Sequence, residues 1–251
     1  MKRILKISSM IALATTPLAV AYADTVTVAA TDVIYAAGTQ SGLAVPPPVG
    51  GTLPVPISVT PGDTLTFSAS GTISLDGGIS HADPDGVGTF ERVATSSNTG
   101  SGSISGITAP LSGYLVGVFL AAGGPSGPAP AALNFTTIGT NFTSLSPLLD
   151  QTFFMGDGLT GDGTGTVQDF IVPAGASTLY LGISDAGGFN GAPTDYGDNQ
   201  GSFTVTDTVA ATGTGVGPGG TAVTPEPSTL TLLGTGISAL AGMAWRRRWK
   251  V

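Results

Sequence analysis

The sequence predicts an all-β body, a β-sandwich, and three observations carry that expectation. Residues 64–75 alternate without a break, with Leu65, Phe67, Ala69, Gly71, Ile73 and Leu75 on one face and Thr64, Thr66, Ser68, Ser70, Thr72 and Ser74 on the other. A period of two places successive side chains on opposite sides of a strand. Short β-branched segments recur between turns built from glycine and proline, of which the 251 residues include 39 and 18, the punctuation expected of short strands. Before residue 228 no segment carries an amphipathic 3.6-residue pattern with caps, so helices are not expected to form the core.

In chain order, residues 25–35 read as a strand through Val26, Val28, Val33 and Tyr35, ended by Pro46-Pro47-Pro48 and Gly50-Gly51. Residues 56–59 lead through the turn Pro61-Gly62-Asp63 into the alternating strand 64–75. A polar loop, 76–88, holds the sole histidine, His81, with Asp76, Asp83 and Asp85. Residues 103–107 and 114–120 follow as strands, the second nearly all apolar, as a core strand should be. Residues 121–150 form a long insertion rich in Pro, Gly and Ala, expected to run over the surface and to pack through Leu133, Phe135, Phe142, Leu145 and Leu148. An insertion of that length is either functional or partly disordered. The last strands are 151–155, 166–172, 177–184 and 201–207, with Pro173-Ala174-Gly175 as a tight turn. Eight or nine short strands at regular spacing make a sandwich. Residues 208–224 lose the pattern and become a Gly, Thr, Ala and Val linker after a body spanning 24–207.

Charge narrows what the body can meet. Of eight Lys and Arg, three lie in the first six residues and four in the last six, so Arg92 alone is left between them, beside Glu91 as an expected surface pair. Fifteen of the sixteen acids lie in residues 24–224, Glu226 being the other, so that stretch with Arg92 carries a net charge of −14. Nucleic acid and anionic lipid both need a positive footprint, so neither is an expected partner. Divalent cations and neutral ligands suit the surface. There is no cysteine, so the fold depends on its core and on any bound metal.

Both ends carry addresses. Residues 1–23 combine a basic start (Lys2, Arg3, Lys6), an apolar stretch at 7–21 and Ala21-Tyr22-Ala23 as a cleavage site, the plan of a secretory signal peptide absent from the mature protein. Residues 225–251 have three parts in order: Pro225-Glu226-Pro227, an apolar run at 228–245, and the basic cluster Arg246-Arg247-Arg248 with Lys250. About 17 uncharged residues at 1.5 Å each span about 25 Å, enough to cross a bilayer if the ends snorkel. The arginines hold the C-terminus on the cytoplasmic side and leave the body outside.

This order resembles the PEP-CTERM sorting signal of Gram-negative bacteria. The resemblance implies recognition of Pro225-Glu226-Pro227 by an exosortase in the inner membrane, and Arg246, Arg247 and Arg248 as the membrane stop. It further implies cleavage near the tripeptide and delivery to the cell surface or extracellular matrix.

The most informative internal stretch follows the strand that ends at Asp185. There Asp195-Tyr196-Gly197-Asp198-Asn199 gathers carboxylate and amide oxygens around a glycine. Calcium takes six to eight hard oxygens, and a Gly-bent loop lets neighbouring residues face one ion. Asp, Asn and Gly also build ordinary turns, so a metal-free acidic loop is the alternative.

The body resembles the galactophilic calcium lectin of the PA-IL type, a jelly-roll-type β-sandwich, in three places: Pro61-Gly62-Asp63 with its strand to Leu75, residues 166–174, and residues 181–205. The resemblance implies calcium held by Asp185, the Asp195 carbonyl, Asp198 and Asn199, with the Leu75 carbonyl as a further ligand. It implies looser sugar contacts at Asp83, Asp85 and His81, where the lectin's own His and Gln are out of register. The loop between Asp185 and Tyr196 is also longer than in the lectin.

Residues 156–163, Gly-Asp-Gly-Leu-Thr-Gly-Asp-Gly, have the look of a calcium-binding repeat, but one and a half copies cannot stack, and a hairpin loop is expected. Asn134-Phe-Thr136 and Asn141-Phe-Thr143 are glycosylation sequons by spelling only. No catalytic elbow, phosphate loop or second histidine is present, and both tryptophans, Trp245 and Trp249, lie in the tail. The expectation is therefore a non-enzymatic, exported surface or matrix protein with a calcium-dependent carbohydrate-binding body. A ligand-free structural component is the alternative. Third comes a polysaccharide hydrolase using Asp83 with Asp85 or Asp195 with Asp198.

Overall fold

The computed structural model describes residues 23–39, 50–88 and 95–210. The leader, the prolines at 46–48, the Glu91–Arg92 pair and the sorting tail with its apolar run lie outside them. Among the described residues no helix is long and apolar enough to cross a membrane.

Within these bounds the chain is all-β. Its strands are β1 (Ala23–Ala29), β2 (Val55–Ser58), β3 (Thr64–Ser74), β4 (Ser96–Ser101), β5 (Ile104–Ala109), β6 (Leu115–Ala121), β7 (Leu133–Asn134) and β8 (Ser144–Leu145). Then follow β9 (Thr152–Phe154), β10 (Leu159–Gly161), β11 (Thr164–Val167), β12 (Asp169–Ile171), β13 (Ala176–Ile183), β14 (Asn190–Gly191) and β15 (Gln200–Ala210). A five-stranded sheet runs β1-β15-β3-β12-β8, a four-stranded sheet β2-β13-β6-β9, a second four-stranded sheet β14-β4-β5-β7, and β10-β11 form a separate ribbon.

The long alternating strand sets the first sheet. β15 pairs antiparallel with β3 from Gln200↔Ser74 to Ala210↔Thr64, and on its other side with β1 from Ala29↔Ser202 to Ala23↔Thr208. Leu65, Phe67 and Ile73 of β3 and Phe203 and Val205 of β15 are buried. Gly71 breaks the expected apolar face: it is exposed, its φ is +118°, and a Cβ there would collide with the Ser202 carbonyl. The close approach of the two strands requires glycine at that point.

In the second sheet β13 pairs with β6 and β2, and Leu179, Leu181, Ile183, Val116, Val118 and Phe119 are fully buried. Rings join it to the first sheet: Phe67 and Phe170 have centroids 5.4 Å apart, Phe170 and Phe153 5.7 Å, and Phe153 and Phe119 5.2 Å. Each such ring gains about 2–3 kcal/mol from burial, with offset or edge contact adding to it.

The insertion at 121–150 is more than a surface excursion. It supplies β7 and β8, each an edge strand of a different sheet, and the short helix α1 (Phe135–Ile138) between them. Phe135 is buried as expected, but Leu148 is exposed. Asn134 caps α1 by accepting from the Thr136 amide at 3.0 Å and its hydroxyl at 2.6 Å, a structural role for that sequon. The strand expected at 166–172 is divided between β11 and β12, and β15 runs three residues past the expected end of the body at Asp207.

Candidate functional site

The described residues include fourteen aspartates and no Glu, Lys or Arg. A buried carboxylate here has no side-chain cation to meet and must rely on backbone amides and hydroxyls. Several do so. Asp32 accepts from the Ala29 amide and the Thr52 hydroxyl, both at 2.7 Å. Asp76 accepts from the Ser74 hydroxyl at 2.7 Å, the Ile79 amide at 3.0 Å and the Ser80 amide at 2.8 Å. Burial acts to raise its pKa, yet these bonds win and hold it below the ordinary aspartate value.

Asp185 is different. It follows β13 and is 2% exposed; its Oδ1 accepts from the Ala186 amide at 2.8 Å, while its Oδ2 is buried with no partner. Asn199, the residue before β15, lies beside it; its Nδ2 donates to the Ala30 carbonyl at 3.0 Å, and its Oδ1 is likewise buried and unpartnered. Burial pushes the Asp185 carboxyl up to about 8; the Asp198 and Asp195 charges add to the rise, while Asn199 and the Ala186 amide oppose it.

The backbone around Asp185 is fastened at several points. Its amide donates to the Tyr196 hydroxyl at 3.0 Å, and that hydroxyl donates to the Ile183 carbonyl at 3.0 Å. Its carbonyl accepts from Asn98 Nδ2 at 2.8 Å. The Ala186–Pro193 bridge and a 2.8 Å bond from the Gly187 amide to the Thr194 hydroxyl close the long loop on itself. Asp195 and Asp198 are exposed at its rim, and Asp195 takes a left-handed φ of +64°, which aspartate tolerates better than most residues.

The extra loop length therefore does not separate Asp185 from Asp195, Asp198 and Asn199. The β3–β15 ladder ends at Ser74↔Gln200, so Leu75 and Asn199 leave it side by side. Carboxylate and amide oxygens, two of them buried and unmet, form a donor set that fits a hard cation such as calcium. Tyr196 and Asn98 hold this loop and were not singled out from the sequence. Tyr196 was visible only as part of a turn, and Asn98 lies on a strand with no apolar face.

A second group gathers elsewhere. Asp83, Asp85 and Asp162 each bring a carboxylate oxygen within 4.8 Å of the others. Burial first, then the Asp157 charge, push Asp85 up to about 7; Asp83 and Asp162 add to this, against a backbone hydrogen bond from Asp157. The charges acting on Asp185 come instead from Asp198 and Asp195. Asp83 and Asp85 thus join the 156–163 stretch, and His81 is exposed. That stretch forms the expected hairpin, with Asp157 accepting from the Leu159 and Gly163 amides at 2.8 Å each.

The geometry defines an all-β, aspartate-rich body with no lysine or arginine among its described residues. Residues 223–248 match the PEP-CTERM protein-sorting motif, which supports a PEP-CTERM protein and agrees with export and exosortase processing. A search of curated proteins found no match to the chain.

Proposed function

We propose that this is an exported, exosortase-processed protein of the cell surface or extracellular matrix whose body binds a saccharide through calcium at the Asp185 loop. The observation that carries the reading is the pair of buried, unpartnered oxygens, Asp185 Oδ2 and Asn199 Oδ1. A folded protein leaves such acceptors unmet at a cost of about 1–3 kcal/mol each, which a cation would recover. Asp185, Asn199, Asp198 and the Asp195 carbonyl would hold it, with the Leu75 carbonyl at the ladder's end. Bound calcium supplies coordination positions that neutral sugar hydroxyls can fill.

The leader at 1–23, the spanning run at 228–245 and the arginine stop belong to the same proposal, supported by the motif match at 223–248, while the lectin-like identity of the sandwich rests on the sequence resemblance alone. In this reading the body binds and does not catalyse. Glycan-array binding by the full-length chain, in calcium and in chelator, tests it: calcium-dependent retention on particular glycans is expected. Equal retention in both conditions, or none, would leave a structural surface component. Polysaccharide hydrolysis lost on Asp195→Asn would replace binding with catalysis.

A further inference from the structure

We propose that Asp83, Asp85 and Asp162 form a second divalent-cation site, independent of the Asp185 loop, that clamps the 82–88 turn to the β10-β11 hairpin. Three observations converge on it. First, one carboxylate oxygen from each residue lies within 4.8 Å of the other two. A calcium ion holds its oxygens at about 2.3–2.6 Å, so oxygens on opposite sides of it stand up to about 5 Å apart, and the group's spacing matches an ion at its centre.

Second, Asp85 is 9% exposed, and its Oδ2 is buried without any hydrogen-bond partner. A lone surface cluster of acids needs no ion, because water meets every oxygen. Here one member, Asp85, is withdrawn from water, and the described part of the chain offers it no Lys or Arg. Each arriving carboxylate makes the others harder to ionise, and a cation from solution opposes that repulsion directly.

Third, the surroundings are built to bring the carboxylates in. Gly156 has a φ of +60°, and a Cβ on it would collide with Asp85 Oδ1 and the Phe154 ring, so the backbone is cut back where the carboxyl enters. The turn bearing Asp83 and Asp85 is fixed by the Asp85 amide donating to Asp83 Oδ1 at 3.1 Å, by the Leu115 amide donating to the Pro84 carbonyl at 2.9 Å, and by the Ile73–Ala82 and Val87–Ser112 bridges. From the other side Asp157 ties the hairpin by its two amide bonds and presents Asp162 at the turn between β10 and β11. The ligands thus come from two segments about eighty residues apart in sequence, and the ion cross-links them in a protein without disulfides.

Calcium titration of the full-length chain by calorimetry, with the ion alone as probe, tests this separately from the Asp185 reading. Asp162 is exposed, so Asp162→Asn is expected to fold normally, with circular dichroism as the check. It is expected to lose one calcium equivalent, or to weaken that equivalent at least tenfold, and to do so equally in an Asp185→Asn background. If the single calcium bound by the wild type disappears in Asp162→Asn and survives in Asp185→Asn, this site stands and the Asp185 reading falls. Unchanged stoichiometry and affinity in Asp162→Asn, or no calcium binding by the wild type at millimolar concentration, overturns the second site.

Discussion

The turn around Asp76 and the loop around Asp185 sit at the same end of the β3–β15 ladder, and they treat a buried aspartate in opposite ways. The Asp76 turn is short, and the donors it needs lie within four residues, on Ser74, Ile79 and Ser80. The Asp185 loop runs eleven residues to Tyr196 and spends the Asp185 and Gly187 amides on its own Tyr196 and Thr194 hydroxyls, leaving Asp185 Oδ2 and Asn199 Oδ1 unmet. The first arrangement is complete without a ligand. The second leaves two acceptors that the surrounding chain does not meet.

Calcium should separate the two regions by the largest margin. At a thousand times its dissociation constant the ion adds about 4 kcal/mol to stability, a rise in Tm on the order of 10 °C for a body of this size. Asp185→Asn should abolish the part of the calcium-dependent rise that its loop contributes, leaving only any part due to the Asp83, Asp85 and Asp162 group, while the chelated protein stays at least as stable as the wild type. A melting curve unmoved by calcium would erase the distinction between turn and loop.

Asp76→Ala should do the reverse. It strips the acceptor from three donors and should cost about 2–3 kcal/mol, several degrees in Tm, by the same amount in calcium and in chelator. A loss seen only in calcium would place Asp76 with the ligand loop.

The remaining contrast is in pH, where the two aspartates should oppose each other. In chelator, folded Asp185 and Asp85 keep their protons up to about 8 and about 7, whereas the unfolded chain releases them near the ordinary value of about 3.9. Between those limits the folded state binds more protons, so their contribution falls as pH rises from about 4 to about 8. Asp76 is held low, so its contribution is present above the ordinary value and is lost as pH falls below it. Melting in chelator should show both slopes, the upper one shallower in Asp185→Asn.

These contrasts also show what was legible before folding. β3, β13 and β15 were readable because each buries one face of an alternating or apolar run. β4, Ser-Ser-Asn-Thr-Gly-Ser, has no apolar face and becomes a strand through pairing with β5. β7 and β8 are two-residue edges created by neighbouring strands. The Asp185 loop was visible because its oxygens are close in sequence, and the hairpin at 156–163 because glycine and aspartate turn chains. Their burial was not visible, nor was the meeting of Asp162 with Asp83 and Asp85, because both arise only when distant segments are brought together.

β15 has a mechanical consequence. It begins one residue after Asn199 and runs eleven residues to Ala210, about 36 Å at the usual rise, before the chain continues toward the sorting motif. Tension between a ligand gripped at the Asp185 loop and an attachment beyond residue 210 would run lengthwise through this one strand. Held by β1 on one flank and β3 on the other, it would load its hydrogen bonds in shear, all together, and not peel them apart one at a time.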